Sequence, residues 1–283
     1  MDSGLLKSEE IANFITDGYL RYDSIIPKDL CDEIITQIDD GYYSNYNNVG
    51  EMFKVIYSNA SLGKIFKIGK VENIIESLLG KTARYDHHYI HRKYKFTNEL
   101  PNLHQDGEID KRNYQFDLLI LFFPHDVSLN MGGTLIIPSS HFRKVSGNII
   151  KRYHNIINQE IITCKAGTLY FVHHNLWHAA RSNLSNKDRI MIKFRLNPSD
   201  NQKLNWDYKN TNLQNVMNIL SKNYVWHGDQ QRIENINRIK LWRYLYDDNT
   251  SELENKLLWG TNMNDIKKVI YQDSVRSLDK NDS

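Results

Sequence analysis

Cysteine is scarce in this chain, which has only two, Cys31 and Cys164, among its 283 residues. Two thiols are too few for a disulfide framework or for a zinc site built from thiolates. A free cysteine usually packs as a small apolar side chain. We therefore expect both residues to be buried and unpaired, as in a protein of a reducing compartment.

Long apolar runs are also missing, since no stretch approaches the roughly 20 residues that cross a bilayer. The N-terminal stretch MDSGLLKSEEIANF has acidic residues early and lacks the apolar core of a signal peptide. Neither sign of charge dominates, because 36 basic and 34 acidic side chains give a net charge of +2. We therefore expect a cytoplasmic protein with no nucleic-acid or membrane partner that acts on a small molecule; no pattern predicts its oligomeric state.

Apolar residues at helical spacing predict helices near both ends of the chain. The predicted helices cover residues 8–16, 28–39, 71–79, 213–220, 232–246 and 266–275. Ser8 is the expected cap of the first helix, Pro27 begins the second, and Gly80 closes the third. Tyrosine and asparagine dominate residues 42–50, which we predict to form a loop.

Between residues 82 and 198, short apolar or alternating runs are separated by turn residues. The predicted strands cover residues 83–92, 116–123, 134–138, 161–163, 168–173, 178–181 and 189–196, after an earlier candidate at 18–23. Strands at this spacing predict a mainly β protein with a jelly-roll core and flanking helices. We expect one domain over residues 1–283, with an N-terminal helical segment (1–81), the jelly-roll core (82–198) and a helical C-terminal extension (199–283).

The most informative motif is His104-Gln105-Asp106. In an extended segment, residues i and i+2 point to the same face, so this imidazole and this carboxylate converge on one point. A second histidine would complete a two-histidine, one-carboxylate triad, which leaves three positions of an octahedral Fe(II) open. The tripeptide alone fits a polar surface loop equally well, so the interpretation depends on that second histidine.

A second set of candidates follows the predicted strand at 168–173. His178 comes 74 residues after His104, and Arg189 comes 11 residues after His178. In a hairpin, that interval returns the arginine on the neighbouring strand at about the depth of the histidine. A guanidinium beside a metal suits a dicarboxylate co-substrate, because it pairs with the far carboxylate through two hydrogen bonds.

Together these motifs resemble the phytanoyl-CoA dioxygenase family of Fe(II)- and 2-oxoglutarate-dependent oxygenases. The resemblance covers roughly residues 10 to 198 and rests on His104-Gln-Asp106, on Gly132-Gly-Thr-Leu-Ile-Ile-Pro-Ser-Ser-His141, and on the series Gly167, His178, Asn183-Leu-Ser185 and Arg189. It implies a double-stranded β-helix, iron held by His104, Asp106 and His178, and 2-oxoglutarate anchored by Arg189. Tyr89 lies on a predicted strand near which we expect a further donor to 2-oxoglutarate.

Two features qualify the resemblance. Family members often carry glycine or serine shortly after the distal histidine, whereas this chain has Ala179 and Ala180, so a hydroxyl that helps to hold 2-oxoglutarate is missing. Related halogenases replace the metal-binding carboxylate with a small residue to make room for halide. Because Asp106 is retained, hydroxylation is favoured over halogenation.

Other residues compete for the assigned roles. His173 and His174 lie close to His178, but the interval from His178 to Asn183 and Arg189 favours His178. His173 is expected to pack in its strand or to support a ligand. Two other arginines compete with Arg189 for the 2-oxoglutarate carboxylate. Arg181 is three residues from His178 and points to the opposite face, and Arg195 lies one side chain further along the strand than Arg189. His87, His88 and His91 lie on one predicted strand, so those on one of its faces are able to point into the pocket. His141 is expected near the pocket mouth. Gln105 is expected to face away from the metal.

The function predicted from the sequence is hydroxylation of a small-molecule C–H bond with Fe(II), 2-oxoglutarate and O2. Two alternatives stay open. The first is a non-catalytic jelly-roll protein that binds a small ligand, which would be expected to have lost at least one member of the four-residue set. The second is a metal-dependent, cupin-like enzyme that does not use 2-oxoglutarate and gives Arg189 no role.

Overall fold

The computed structural model describes residues 4–43, 60–107, 110, 112, 114–143, 147–152, 155–199, 201–224 and 229–247. Its helices are α1 (Ser8–Asp17), α2 (Lys28–Asp39), α3 (Ser61–Lys64), α4 (Gly69–Leu79), α5 (Gly147–Ile150), α6 (Leu213–Leu220) and α7 (Asp229–Tyr246). Its strands are β1 (Tyr19–Tyr22), β2 (Arg84–Lys93), β3 (Leu118–Phe123), β4 (Thr134–Ile136), β5 (Glu160–Ile161), β6 (Thr168–His173), β7 (His178–Ala180) and β8 (Arg189–Asn197). The helix predicted over 266–275 and most of the loop predicted over 42–50 lie outside the described residues.

The sequence prediction is wrong about how α1 begins. The N-cap residue is Lys7, whose N–H donates to a carboxylate oxygen of Glu10 at 2.9 Å. Ser8 is instead the first helical residue and is buried. Its hydroxyl lies 2.6 Å from Thr211 Oγ1 and accepts a hydrogen bond from Trp206 Nε1 at 3.0 Å. Ser8 therefore ties α1 to the segment that follows the last strand.

The strands form two antiparallel sheets. The larger sheet has the order β1-β6-β3-β8-β2, and the smaller has the order β5-β4-β7. In the larger sheet β8 lies between β3 and β2, so both of its edges are hydrogen-bonded. The predicted bounds of β6 are confirmed, and the other predicted strands agree with the observed ones to within a few residues.

Strand β8 shows how the larger sheet divides the core. Its even-numbered side chains, such as Ile192 and Phe194, pack with apolar residues of the helices. Its odd-numbered Met191 packs instead with Ile136 of β4 and Tyr170 of β6, between the two sheets. Because residues of one parity share a face, Arg189, Lys193 and Arg195 belong with Met191 on the side of the smaller sheet. These three basic side chains therefore face the space between the two sheets.

Helices from both ends of the chain cover the other face of the larger sheet. Phe14 of α1, Leu78 of α4, Val216 of α6 and Trp242 of α7 belong to one apolar cluster. None of the described helices has the length and apolarity needed to cross a membrane.

Both cysteines are free, as predicted. The prediction that both are buried is confirmed for Cys31 and is wrong for Cys164, which lies just before the turn that leads into β6 and is only partly buried.

His88 is the least satisfied polar group of the larger sheet. It lies on β2 opposite Phe194 and is buried, and neither of its ring nitrogens has a hydrogen-bond partner among the described residues. Burial, and then the neighbouring His87, lower the pKa of His88 to about 4. The unfolded chain therefore binds a proton here that the folded chain does not, and stability falls as the pH falls from about 6.5 towards 4.

We expect His88→Leu to raise the free energy of unfolding by about 1 kcal/mol at pH 7.5, because it removes a buried polar group without a partner. At pH 5 the gain should be larger by a further 1–2 kcal/mol or so, because leucine also removes the proton-linked loss. Urea unfolding at both pH values measures the difference. The control is His87→Leu on the opposite face of β2, expected to stay within about 0.5 kcal/mol at pH 7.5. An equal gain for His88→Leu at both pH values would contradict the account.

Candidate metal centre

Three side chains from two separate segments meet between the sheets. His104, Asp106 and His178 each offer one ligand atom, and these three atoms lie within 4.8 Å of one another. Asp106 Oδ1 is 3.5 Å from His104 Nε2 and 3.8 Å from His178 Nε2. They are the only group of three or more histidine, cysteine or carboxylate residues in the described part of the chain that is placed to hold a metal ion.

Backbone pairing brings the two segments together. The N–H of His104 donates to the carbonyl of His178 and the N–H of His178 to that of His104, both at 3.1 Å. The N–H of Asp106 then donates to the carbonyl of His174 at 3.1 Å. Gly107 is needed for this close approach, because a Cβ at that position would lie 2.0 Å from His174 Cδ2. The His-Gln-Asp segment is thus held against the start of β7 by a single antiparallel bridge at His104, and Asp106 already lies in the turn that follows.

Both imidazoles have the orientation that a metal ligand needs. His104 Nδ1 lies 2.8 Å from the carbonyl of Asn102, and His178 Nδ1 lies 2.9 Å from the carbonyl of Leu176. A carbonyl only accepts, so each Nδ1 carries a proton and each Nε2 is the ring nitrogen left to bind a metal. Both Nε2 atoms face Asp106 Oδ1. A hydrogen bond of this kind from the second ring nitrogen is typical of histidine that binds a metal.

The charges of the site suit a cation. Burial, and then the neighbouring His104, lower the pKa of His178 to about 4, so this ring is neutral at pH 7. Burial alone would raise the pKa of Asp106, but His178 and Lys193 bring it below its ordinary value. Lys193 Nζ lies 2.6 Å from Asp106 Oδ2. Burial and then Lys193 also lower the pKa of His91, on β2, to about 4. A neutral imidazole and an ionised carboxylate are the forms that metals bind.

Gln105 faces away from the cluster, as predicted, but the structure gives it a role that the sequence did not. Its Nε2 donates to the carbonyls of Arg143 and Asn175, both at 2.8 Å. Arg143 is in turn held by Glu234 of α7, with Nε 2.8 Å from the carboxylate. A chain of contacts therefore links α7 to Gln105, the residue between two of the metal-ligand candidates.

We expect Gln105→Leu to weaken Mn²⁺ binding by about tenfold, because loss of a group that orients metal ligands has an effect of this size. Both carbonyl contacts disappear while His104 and Asp106 remain. Isothermal titration with Mn²⁺ measures the change. Gln159→Leu, which changes a glutamine outside the site that bonds locally with Asn155 and Ile156, is the control and should bind as the unaltered protein does. Equal affinities for all three proteins would contradict a role for Gln105.

Arg189 is placed at the start of β8 and is only 4% exposed. Its Nη1 donates to the carbonyls of Met131, at 2.6 Å, and Arg181, at 3.3 Å. Burial, and then the charge of Arg181, lower the pKa of Arg189 to about 10, so it stays a cation at neutral pH. Gly132 allows the chain to pack closely beside Arg189, since a Cβ would lie 1.8 Å from the carbonyl oxygen of Ser182. No carboxylate in the described part of the chain forms an ion pair with this guanidinium.

The rival arginines have other partners. Arg195 forms a two-bond ion pair with buried Asp117, at 2.6 and 3.0 Å, and its Nη1 also donates to the carbonyl of Asp106 at 3.3 Å. Arg181 lies beside Arg189, and its Nη1 donates to the carbonyl of Gly132. Arg195 therefore supports the segment that carries His104 and Asp106, a role that the sequence prediction missed.

The other candidate histidines do not join the cluster of His104, Asp106 and His178. His173, as predicted, packs in its strand, with its ring 5.0 Å from that of Phe116. His174 donates from Nε2 to Asp110 at 2.9 Å, and His141 bonds to the carbonyl of Ile15. His91 lies on β2 close enough to the site for Lys193 and His178 to lower its pKa after burial.

Tyr89 lies on the same face of β2 as His91, with the two rings 4.4 Å apart. It is 45% exposed and stands opposite Lys193 in the sheet. Its contact with 2-oxoglutarate stays a prediction.

A family model described as phytanoyl-CoA dioxygenase matches residues 14–191, which is more than half of the chain. The chain belongs to the phytanoyl-CoA dioxygenase family. The family predicted from the sequence motifs is thereby confirmed. An uncharacterized protein of Mycobacterium tuberculosis is 26% identical over 176 residues, covering 57% of this chain and 60% of that relative. The match thus spans less than two thirds of the relative's own length.

Solved structures resemble the chain at low sequence identity. HygX of Streptomyces hygroscopicus, with nickel and 2-oxoglutarate bound, aligns with a TM-score of 0.55 at 13% identity over 69% of this chain and 87% of HygX. The α-ketoglutarate-dependent epimerase SnoN of nogalamycin biosynthesis aligns at 0.52, with 16% identity over 67% and 81% of the two chains. The carbocyclase SnoK of the same biosynthesis aligns at 0.53, with 14% identity over 71% and 87%.

These likenesses confirm the predicted fold, a jelly roll with flanking helices. The predicted cofactors, Fe(II), 2-oxoglutarate and O2, agree with the family and with neighbours that hold iron, or nickel and 2-oxoglutarate.

Proposed function

We propose that this protein is an Fe(II)- and 2-oxoglutarate-dependent oxygenase that hydroxylates a C–H bond of a small molecule. The observation that carries the proposal is the cluster of His104, Asp106 and His178, in which both Nε2 atoms face one carboxylate oxygen. Two imidazoles and one carboxylate on one side of a metal make up the donor set of non-haem Fe(II) oxygenases.

The protein's own residues would then divide the work. His104, Asp106 and His178 would hold the iron from one side. Arg189 would bind the far carboxylate of 2-oxoglutarate, and its burial without a described acidic partner supports that role. Tyr89 would add a hydroxyl at the exposed edge of the site. Placement between two sheets would keep bulk water away from the reacting C–H bond.

When bound, iron and 2-oxoglutarate supply with O2 the oxidising power that the protein's side chains lack. The balance is that 2-oxoglutarate, O2 and R–H give succinate, CO2 and R–OH. One oxygen atom enters succinate and the other enters the product. The retained Asp106 supports hydroxylation over halogenation, because its side chain occupies the position that a halide would need. Two of the structural neighbours are named an epimerase and a carbocyclase. Hydroxylation is therefore a more specific proposal than oxygenase activity and needs its own test.

We further propose that residues 1–283 form a single oxygenase domain that acts on a metabolite or natural-product intermediate. Packing of α1, α4, α6 and α7 into one apolar cluster with the larger sheet supports the single domain. The substrate class is supported by neighbours solved with small molecules, one with hygromycin B and another with nogalamycin RO.

Substrate-triggered succinate formation across a panel of metabolites tests this function. The reaction should require Fe(II), 2-oxoglutarate and O2 together, with Asp106→Ala as the blank. Each turnover should add one oxygen atom to the substrate, measured by mass spectrometry with labelled O2. Succinate formed together with an unlabelled, isomerised or cyclised product would contradict hydroxylation but would still support a 2-oxoglutarate-dependent oxygenase. Product formed without 2-oxoglutarate would contradict the proposal and favour a cupin-like enzyme.

A further inference from the structure

The two oxygens of Asp106 face different partners. Oδ1 faces the Nε2 atoms of His104 and His178, at 3.5 and 3.8 Å. Oδ2 lies 2.6 Å from Lys193 Nζ, a charge-assisted hydrogen bond. A carboxylate binds a metal through one oxygen or through both, and binding through both uses two coordination positions. Which mode Asp106 adopts therefore depends on whether Oδ2 is free to turn.

Lys193 is well placed to prevent that turn. It lies on β8, which is paired on both sides by β3 and β2, so its backbone is fixed. Its side chain is only 14% exposed, and Asp106 is its one acidic partner in the described part of the chain. The lysine is therefore held between a fixed strand and one carboxylate oxygen.

The backbone of Asp106 is fixed as well. Its N–H donates to the carbonyl of His174 at 3.1 Å, and its own carbonyl accepts from Arg195 Nη1 at 3.3 Å. With both backbone groups held, the main remaining freedom of the residue is rotation of its carboxylate. The contact with Lys193 restricts that rotation.

We propose that Lys193 is a positioning residue that limits Asp106 to one-oxygen metal binding and so keeps a coordination position open for O2. The inference rests on the proposed function. An octahedral ion held by three protein atoms has three open positions, of which 2-oxoglutarate takes two and O2 takes one. If Asp106 bound through both oxygens, 2-oxoglutarate would fill the remainder. Lys193 prevents this by holding Oδ2.

Water bound to Mn²⁺ provides the test, because proton relaxation of the solvent counts metal-bound waters without any turnover. The unaltered protein should show about three waters, and Lys193→Met about two, so the metal-bound contribution to relaxation should fall by roughly a third. Added 2-oxoglutarate should leave about one water in the unaltered protein and none in the variant. Lys193→Arg keeps a charged donor and should restore the water count of the unaltered protein.

Lys93→Met on the neighbouring strand, where Lys93 pairs with exposed Glu99, is the matched control and should leave the count unchanged. Lys193→Leu is the second variant if methionine disturbs the fold, which thermal unfolding reports. The proposal is overturned if folded Lys193→Met keeps three waters. It is equally overturned if that variant no longer binds Mn²⁺, since a carboxylate free to use both oxygens holds the metal at least as tightly. If the unaltered protein binds no Mn²⁺, or 2-oxoglutarate displaces no water from it, the proposed function fails instead.

Discussion

Asp106→Ala is expected to abolish the activity, lowering succinate formation by on the order of a thousandfold or more. Loss of a group that merely orients a ligand costs 10–100-fold or so, and this substitution removes a ligand outright. It also leaves two imidazoles without the negative charge that balances the metal, and leaves Lys193 beside them without its carboxylate partner. Metal binding, measured by titration with Mn²⁺, should therefore be lost along with turnover.

The matched control for this prediction is Asp126→Ala. Asp126 is an exposed carboxylate that pairs with Lys165 on the surface. Its removal should change neither Mn²⁺ affinity nor succinate formation. If Asp106→Ala retained both metal binding and turnover, Asp106 would be an ordinary buried ion-pair partner of Lys193, and the metal centre would have to be sought elsewhere.

Arg189→Met is expected to weaken 2-oxoglutarate binding by about a hundredfold, because loss of one partner of a buried charge pair costs roughly 2–5 kcal/mol. Metal affinity should hardly change, since Arg189 contacts none of the three ligand candidates in the structure. Titration of the metal-loaded protein with 2-oxoglutarate in the absence of O2 measures the effect.

Two controls make this prediction specific. Arg181→Met removes the neighbouring cation, whose side chain bonds to the carbonyl of Gly132, and should weaken binding far less. The analogue 2-oxobutyrate keeps the chelating end but lacks the far carboxylate, so it should bind equally to the unaltered protein and to Arg189→Met. A large effect of Arg181→Met with no effect of Arg189→Met would reverse the assignment.

The parts of the fold that were predictable from the sequence are those where apolar spacing is regular. The helix over residues 28–39 and the strand over 168–173 are observed with the predicted bounds, because the helix has apolar residues at helical intervals and the strand is a short, mostly apolar run that is buried at every position. The His-Gln-Asp segment forms only a single bridge to His178, yet its two-residue spacing was sufficient to predict convergence. Helices α3 and α5 were missed, since four residues are too few to show a period.

Within the site, the sequence predicted the residues that share a motif and missed those that support them. Lys193 could have been found, because it lies on the same face of a predicted strand as Arg189. The contact between Arg143 and Glu234 could not, since it depends on where α7 packs, 91 residues along the chain. Gln105 had no visible role for a different reason: both of its partners are backbone carbonyls, which carry no sequence signal.

The central claim is that His104, Asp106 and His178 hold an iron to which 2-oxoglutarate chelates while Arg189 holds its far end. Anaerobic titration of the Fe(II)-loaded protein with 2-oxoglutarate, followed by visible absorption, tests it most directly. The account predicts a weak charge-transfer band that saturates at one 2-oxoglutarate per iron. The band should be absent from Asp106→Ala and should need far more 2-oxoglutarate in Arg189→Met. An unaltered protein that binds Fe(II) but gives no band with 2-oxoglutarate would contradict the claim.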